Sequence, residues 1–514
     1  MKKNRSVGWI VVVICFLGVT SFLPFSAGAE PRGTITVGFG NMPKCLDKWM
    51  DSSGASSNVA VNIFDPLLTK DPETAKPAPW LATSWKLINE TTWEFKLRQG
   101  VQFTNGEPFN AQSIKYSIER AINPASESIN RTLWDWIKEV EIVDDYTVRI
   151  ITHKPYPVAL EILAGASYAL PPRYTEEAGQ AKFCDEPVAT GPYMVKEWKK
   201  GEQIVLEANP SYWGPKPAVK TLIIRYIPED STRVASLLAG EVDYVESVEP
   251  DQVPLLQADP NLSVLLVPRT WQGFLQMDGD QRAPGTHKAM ADVRVRRAVC
   301  NAIDTKTIIQ RLMQGQASPI KGGVLHSLYF GFDSTIEGFE YNPALSKKLL
   351  AEAGYPNGFQ IKFYSYGTRQ VTEAIQEYLA KVGIKADIEW YGGNDAQLTR
   401  LRGSGKVDDM ALWGWWVTTS DADAILHPWF HSSGNRSYNR RPEMDAWLDE
   451  ARSIMDQKRR QELYSQIQRY IIENAFWCPM FERNSIEAIR KDRVAYKPYR
   501  DGAMRLFELK WASK

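Results

Sequence analysis

The 514-residue sequence predicts an α/β protein of two or more lobes, with mixed sheets flanked by helices. Three observations predict it. The chain is longer than one hydrophobic core usually serves, so lobes of ~100 to 200 residues are expected. Up to about Thr270, apolar residues alternate with a period of two through several hairpins. Beyond that point, short apolar runs alternate with helical stripes.

Residues 1–29 combine Lys2, Lys3 and Arg5 with an apolar run over 9–19 and the triplet Ala27-Gly28-Ala29. This is the charged start, apolar middle and small-residue cleavage site of a secretory signal, which puts the mature start at Glu30. The run is shorter than the ~20 residues of a membrane span, and no later stretch approaches that length. Cys15 follows Val13 and Ile14 without the small residue expected before a lipid-attachment cysteine. The expectation is a free periplasmic protein.

The first strand falls at 34–37, followed by a polar Ser, Gly and Asp loop over 41–58 and an apolar stretch at 59–68. Residues 84–87 and 92–97 form a hairpin about Asn89-Glu90, with Trp93, Phe95 and Leu97 on one face. Asn110 caps a helix whose Ile114, Ile118, Ala121 and Ile122 make one stripe. A second hairpin pairs 140–143 with 146–151, two strands lie near 194–198 and 203–208, and 222–227 reads as a central strand. In the second half Asp292 and Asp304 cap successive helices, and Pro343 opens another that stops at Gly354. Strands at 359–364, 384–390 and 410–416 then alternate with helices at 371–382 and 395–401. Helices at 443–456 and 459–473 precede a strand at 477–482.

Removing the signal takes three of 61 basic residues and none of 61 acidic ones, leaving 58 − 61 = −3. A surface so near neutrality argues against nucleic-acid or membrane-surface partners. Cys45, Cys184, Cys300 and Cys478 are too scattered for a CxxC metal site. An oxidising compartment permits disulfides among them without fixing the pairs.

Residues 411–430 (ALWGWWVTTSDADAILHPWF) gather Trp413, Trp415, Trp416, Thr418, Thr419, Ser420, Asp421 and Asp423. They read as the floor of a ligand site or, equally, as a buried strand with core tryptophans. On a strand Trp413 and Trp415 share one face, and we assign that face to a cleft and Trp416 to the helix-covered side. His427 and His431 are four apart, but Pro428 between them favours two loop histidines over a metal pair. No GxSxG elbow, HExxH or complete phosphate loop is present, which disfavours an enzyme, a secreted glycosidase remaining the alternative.

Several blocks in order resemble one family: PWLATSW at 79–85, TWEFKLRQGVQF at 92–103, NGEPF at 105–109, TGPY at 190–193, GEVD at 240–243, DVRVR at 292–296 and EAGYPNGF at 352–359. They look like the signature of the family 5 extracellular solute-binding proteins, the dipeptide, oligopeptide and nickel type. The resemblance spans nearly the whole mature chain. It implies a periplasmic binding protein of two hinged lobes plus an extra subdomain, with the ligand cleft between the lobes. On that pattern 30–268 form lobe I, with an inserted subdomain at about 65–188 and a return at about 485–514, and 269–484 form lobe II. The implied partners are a peptide-like or other small polar solute and the permease of an ABC importer. A monomer is expected, with no enzymatic activity, resident metal or cofactor. The cleft would be lined by Ser53 and Ser56 of the first polar loop, Trp271 and Phe274 near the hinge, and the residues of 413–423 named above.

Dipeptide-binding members resembling this chain carry an aspartate a few residues after the Gly-Trp pair, and here Thr418 stands in its place. A hydroxyl cannot give an ammonium group the charge-assisted bond that a carboxylate does. Simple dipeptides are therefore expected to bind poorly. Glutathione, opines, oligosaccharides and, less so, nickel or haem stand as alternative ligands.

Overall fold

The computed structural model describes residues 30–513 other than 52, 127, 129–130, 314–315, 368, 393–394, 416–418 and 435. The signal segment, Trp416 and Thr418 lie outside the described residues. The chain opens with β1 (Arg32–Phe39), α1 (Gly54–Ile63), β2 (Leu68–Lys70) and β3 (Pro77–Pro79). There follow β4 (Ala82–Asn89), β5 (Thr92–Leu97), α2 (Ala111–Ile122), β6 (Ile137–Asp144), β7 (Thr147–Thr152), α3 (Ala159–Ala166) and α4 (Pro172–Asp185). Next come β8 (Tyr193–Lys199), β9 (Gln203–Ala208), β10 (Val219–Tyr226), α5 (Asp230–Leu238), β11 (Tyr244–Val245), α6 (Val253–Gln257) and the long β12 (Leu262–Met277).

The second half begins with α7 (Val293–Asn301), α8 (Thr305–Leu312), β13 (Ala317–Pro319) and α9 (Pro343–Glu352). It continues through β14 (Phe359–Ser365), α10 (Arg369–Ala380), β15 (Ile384–Trp390), α11 (Asp395–Gly403), β16 (Met410–Trp415) and α12 (Asp423–Phe430). It ends in α13 (Pro442–Ser453), α14 (Gln457–Glu473), the long β17 (Trp477–Arg490), β18 (Val494–Ala495) and β19 (Lys510–Trp511).

The main sheet runs β15-β14-β16-β12-β17-β11-β1-β10-β9-β8, with β13 also on β17. β1 pairs in parallel with β10 and β11, and β14 with β15 and β16, while β12 and β17 are antiparallel. A separate antiparallel sheet, β4-β5-β7-β6, carries the two hairpins. Phe95, Val148 and Ile150 of that sheet and Ile114 and Ile118 of α2 share one continuous core with Ile35 and Val37 of β1.

In the second lobe the pleat separates two cores. Phe363 of β14 and Met410 and Leu412 of β16 face one core, with Val299 of α7 and Ile375 of α10. Tyr364, Ala411 and Trp413, one residue along, face the other, with Trp429 of α12 and Leu463 of α14. Period-two alternation thus sends adjacent side chains to different helical layers.

Local chemistry accounts for the helix starts. Asn110 makes a capping box with Ser113, and Asp292 and Asp304 accept from the backbone of Arg294 and Thr307. The α13 helix stops at Ser453, three residues short of the expected end. Asp456 instead caps α14, accepting from the backbone N–H groups of Lys458 and Arg459. The expected loop over 41–58 gives way at Ser53, which caps α1 by accepting from Ser56 N at 3.1 Å.

The cysteines form two disulfides, Cys45–Cys184 with Cα atoms 4.7 Å apart and Cys300–Cys478 at 5.4 Å. No helix among the described residues is long and apolar enough to cross a membrane.

Candidate functional site

Strands β12 and β17 run through both halves of the molecule, and their ladder shifts register twice, between Val267 and Trp271 and between Gly273 and Phe274. Leu262–Val267 pair with Ser485–Arg490, register shifts, and Trp271 pairs with Arg483. Released from regular pairing, Arg269 and Thr270 on one strand and Asn484 on the other border a cavity of about 580 Å³. α1 contributes Gly54, Ala55, Ser57 and Asn58, while Trp49 and Trp134 form an aromatic wall with ring centroids 4.9 Å apart. The volume lies within the ~300 to 1,000 Å³ typical of small-molecule sites.

Trp271 closes one side. Its indole stacks on Phe481 at 5.8 Å and 24° and lies directly against Gly414 of β16. Arg483 is 6.0 Å over the same indole. Its side chain makes no hydrogen bond or ion pair among the described residues.

Most other charges on the lining are committed. Arg269 bonds Glu487 at 3.1 Å, and Tyr244 donates its hydroxyl to the second oxygen of that carboxylate. Arg505 holds Asp501 through two bonds of 3.0 and 2.9 Å. Glu246 accepts from Gly40 N at 3.2 Å and Asn58 Nδ2 at 3.0 Å. Burial first, and the neighbouring Glu487 charge second, push its carboxyl up to about 7. Asp65 is fully buried and accepts from Trp80 Nε1 at 2.7 Å, Trp213 Nε1 at 2.8 Å and Tyr212 at 3.2 Å. Burial raises its pKa against those three bonds. Glu249, exposed on the lining, makes no side-chain bond among the described residues. Lys70 reaches from β2 to α3 and to the loop before α12, pairing with Glu161 at 3.3 Å and donating to Ser420 at 3.1 Å.

Of the expected site residues, Trp271 lies on the lining. Ser53 and Ser56 sit at the start of α1 beside lining residues, but their hydroxyls serve the helix cap and the Cys45 carbonyl. Phe274 is core, stacked on Trp477 at 3.6 Å and 12°. Trp413 and Trp415 do share a face, and here the expectation that this face looks into the cleft is corrected. It is the face covered by α12. The guanidinium of Arg402, 1% exposed, lies 4.1 Å from the Trp413 ring and 4.4 Å from that of Trp429. Arg436 lies 4.2 Å over Trp415. Burial and then the Arg436 charge bring Arg402 down to about 9.

Asp421 and Asp423 are likewise structural. Arg460 of α14 grips Asp421 with bonds of 3.0 and 2.9 Å, and Arg452 of α13 grips Asp423 at 2.9 and 3.0 Å. Thr419 and Ser420 are buried off the lining, with Ser420 engaged by Lys70. His427 and His431, expected in a loop, belong to α12 and its C-cap.

Sequence reasoning missed Arg483, Glu246, Asp65 and the Trp49–Trp134 wall. Only Glu246 carried a readable signal, an acid placed directly after the apolar pair Tyr244-Val245. The described lining contains no histidine or cysteine. Its groups suit reversible capture through aromatic faces, amide groups and single charges.

Comparison with known proteins agrees with that chemistry. The profile of the bacterial extracellular solute-binding proteins, family 5 Middle, matches residues 76–437. A glutathione-binding protein, GsiB, of Shigella flexneri serotype 5b is 27% identical over 496 residues, spanning 93% of this chain and 95% of its own. GsiB of Escherichia coli K12 is 27% identical over 93% and 94%. Among solved structures, the periplasmic binding protein DppA of Helicobacter pylori, in complex with the peptide STSA, superposes with a TM-score of 0.77 at 26% identity. That match covers 94% of this chain and 98% of the other. HbpA2 of Haemophilus parasuis, at 23% identity and a TM-score of 0.82 over 94% and 100%, shares the two-lobed fold. These relatives are binding proteins and not enzymes. The chain therefore belongs to the family 5 bacterial extracellular solute-binding proteins, the binding components of ABC importers.

Proposed function

We propose that this protein captures a small, peptide-like solute bearing an acidic group in the cavity beside Trp271, and delivers it to an inner-membrane permease from the periplasm as a monomer. The observation that carries this reading is Arg483, a guanidinium on the cavity lining with no carboxylate partner among the described residues. A ligand carboxylate there would gain a charge-assisted bond, sheltered from water and from screening. Glu249 offers an opposite charge on the same lining, which suits a zwitterion. The GsiB and DppA relatives, named for glutathione and bound to a peptide respectively, favour the same class. The cleft lies between lobe I (30–268, with its insertion at about 65–188 and the return from about 485) and lobe II (269–484). The ladder interruption between Val267 and Trp271 is its hinge.

A thermal-shift screen of peptides, glutathione, opines and oligosaccharides tests the reading, since a ligand bound only by the folded state raises the melting temperature. An acid-bearing hit is expected, and Arg483→Gln should weaken it by roughly tenfold or more, as loss of a charged hydrogen bond implies. Stabilisation by neutral sugars alone, or an unchanged affinity in Arg483→Gln, refutes it.

A further inference from the structure

Three side chains with metal-binding atoms converge in the second lobe, off the cavity lining. His427 lies in the last turn of α12, His431 is the C-cap residue of that helix, and Asp449 comes from α13. One potential ligand atom from each lies within 4.8 Å of the others. The imidazoles stack with centroids 4.4 Å apart and planes 8° from parallel, and His431 Nε2 is 3.5 Å from Asp449 Oδ1. We propose that His427, His431 and Asp449 form a site for a divalent cation of the zinc class, separate from the solute cavity.

The donor set selects the ion. Two imidazoles and one carboxylate suit a borderline cation, whereas calcium and magnesium take oxygen ligands. Three protein ligands leave a position for water, and the exposure of Asp449 leaves a route to it. The i, i+4 spacing puts both rings on one helix face.

The surroundings orient the donors. His431 Nδ1 accepts from Ser433 N at 3.1 Å and lies 2.6 Å from Ser433 Oγ, contacts that hold the ring with a protonated Nε2 turned toward Asp449. Metal capture therefore requires that proton to leave Nε2 and Nδ1 to become the donor to Ser433 Oγ. Arg452 Nη1 lies 3.0 Å from His427 Nε2. Because a guanidinium only donates, that ring nitrogen presents a lone pair there. Among the described residues Arg452 is the cation in direct contact with the cluster, and its charge is matched by its two bonds to Asp423. The Asp449 charge is thereby left for the metal. Capture requires Arg452 Nη1 to leave His427 while Arg452 keeps Asp423. A bound ion would tie α12 to α13 by a link that packing alone does not supply.

The test uses the mature protein, freed of metal by a chelator, with Zn²⁺ titrated against a chromophoric competitor and thermal unfolding followed in parallel. One equivalent is expected to bind and to raise the melting temperature. His427→Ala and His431→Ala should each weaken binding by about tenfold or more. Should an alanine variant melt early without metal, His431→Gln, which keeps the bulk and removes the ligating nitrogen, replaces it. Failure of the wild-type protein to compete for Zn²⁺ overturns the proposal. So does equal binding by wild type and the histidine variants, which would mean that the ion is held elsewhere.

Discussion

Replacing Gly414 by alanine should disturb the cavity wall by a displacement that can be read from the geometry. A Cβ there would sit 2.1 Å from Cζ2 of Trp271, 2.7 Å from Cε2 and 3.0 Å from Nε1. Ordinary contact begins at 3.4 Å, so something must move by 3.4 − 2.1 = 1.3 Å. The strand resists moving, because Tyr366 donates to Gly414 O at 2.8 Å and accepts from Gly414 N at 3.1 Å. Phe481 backs the indole from its stacked face. The indole therefore yields toward the open cavity, and overpacking of this kind costs about 1 to 3 kcal/mol.

A double-mutant cycle read by urea unfolding isolates the contact without knowledge of the ligand. Trp271→Phe removes the second ring that meets the new methyl group, so Gly414→Ala should cost much less in that background. The expected coupling is about 0.5 to 3 kcal/mol, against a scatter of about 0.5 for independent sites. Additive costs, or a Gly414→Ala variant as stable as wild type, would show that Trp271 does not rest on β16 as described.

Four further outcomes are expected. Glu246 has a folded pKa of about 7 against an ordinary 4.5. Its contribution is fully present below pH 4.5 and is lost as pH rises through 7, by up to about 3 kcal/mol. Glu246→Gln should flatten that part of the stability profile in urea titrations at several pH values, and an unchanged slope refutes the assignment. Arg460→Met strands the buried Asp421 carboxylate and should cost about 3 to 5 kcal/mol in chemical unfolding; a loss below about 1 would mean that solvent reaches the aspartate. Cys300→Ser opens a link spanning 178 residues, and a loss of about 2 to 5 kcal/mol is expected in calorimetry or urea unfolding under oxidising conditions. A saturating ligand should shrink the radius of gyration in small-angle scattering, and no change at saturation counts against closure about the hinge.

The elements that were legible in the sequence are those whose signals are local. Asn110, Asp292 and Asp304 act as caps because a short polar side chain reaches the next N–H groups whatever surrounds it. The hairpins of the four-stranded sheet follow from alternation beside a turn. The 16 residues of β12 were not legible as one strand, since Pro268 and Gly273, residue types that disfavour a strand interior, interrupt its apolar pattern. Its register shifts fall beside these two residues, and Gly273 gives the Phe481 ring room at 2.9 Å from where a Cβ would lie.

The site divided along the same line. Trp271 could be picked out as an aromatic near a lobe junction. That Trp413 and Trp415 share a face follows from period two, yet sequence does not say which helices cover it. Asp421 and Asp423 looked like ligand groups because their partners, Arg460 and Arg452, lie 39 and 29 positions away. Pairing over such distances is decided by the packing of α13 and α14 and leaves no local mark.

The two disulfides never cross the interruption in the β12–β17 ladder. Cys45–Cys184 closes entirely within the first lobe, and Cys300 and Cys478 both lie on the Trp271 side. Each half is thus stapled internally, and neither disulfide spans the hinge proposed between Val267 and Trp271. In the proposed closure the motion left free by these covalent links is then the angle between the halves. An oxidising compartment would sharpen the opening and closing motion, and reduction would blur it by letting each half deform on its own.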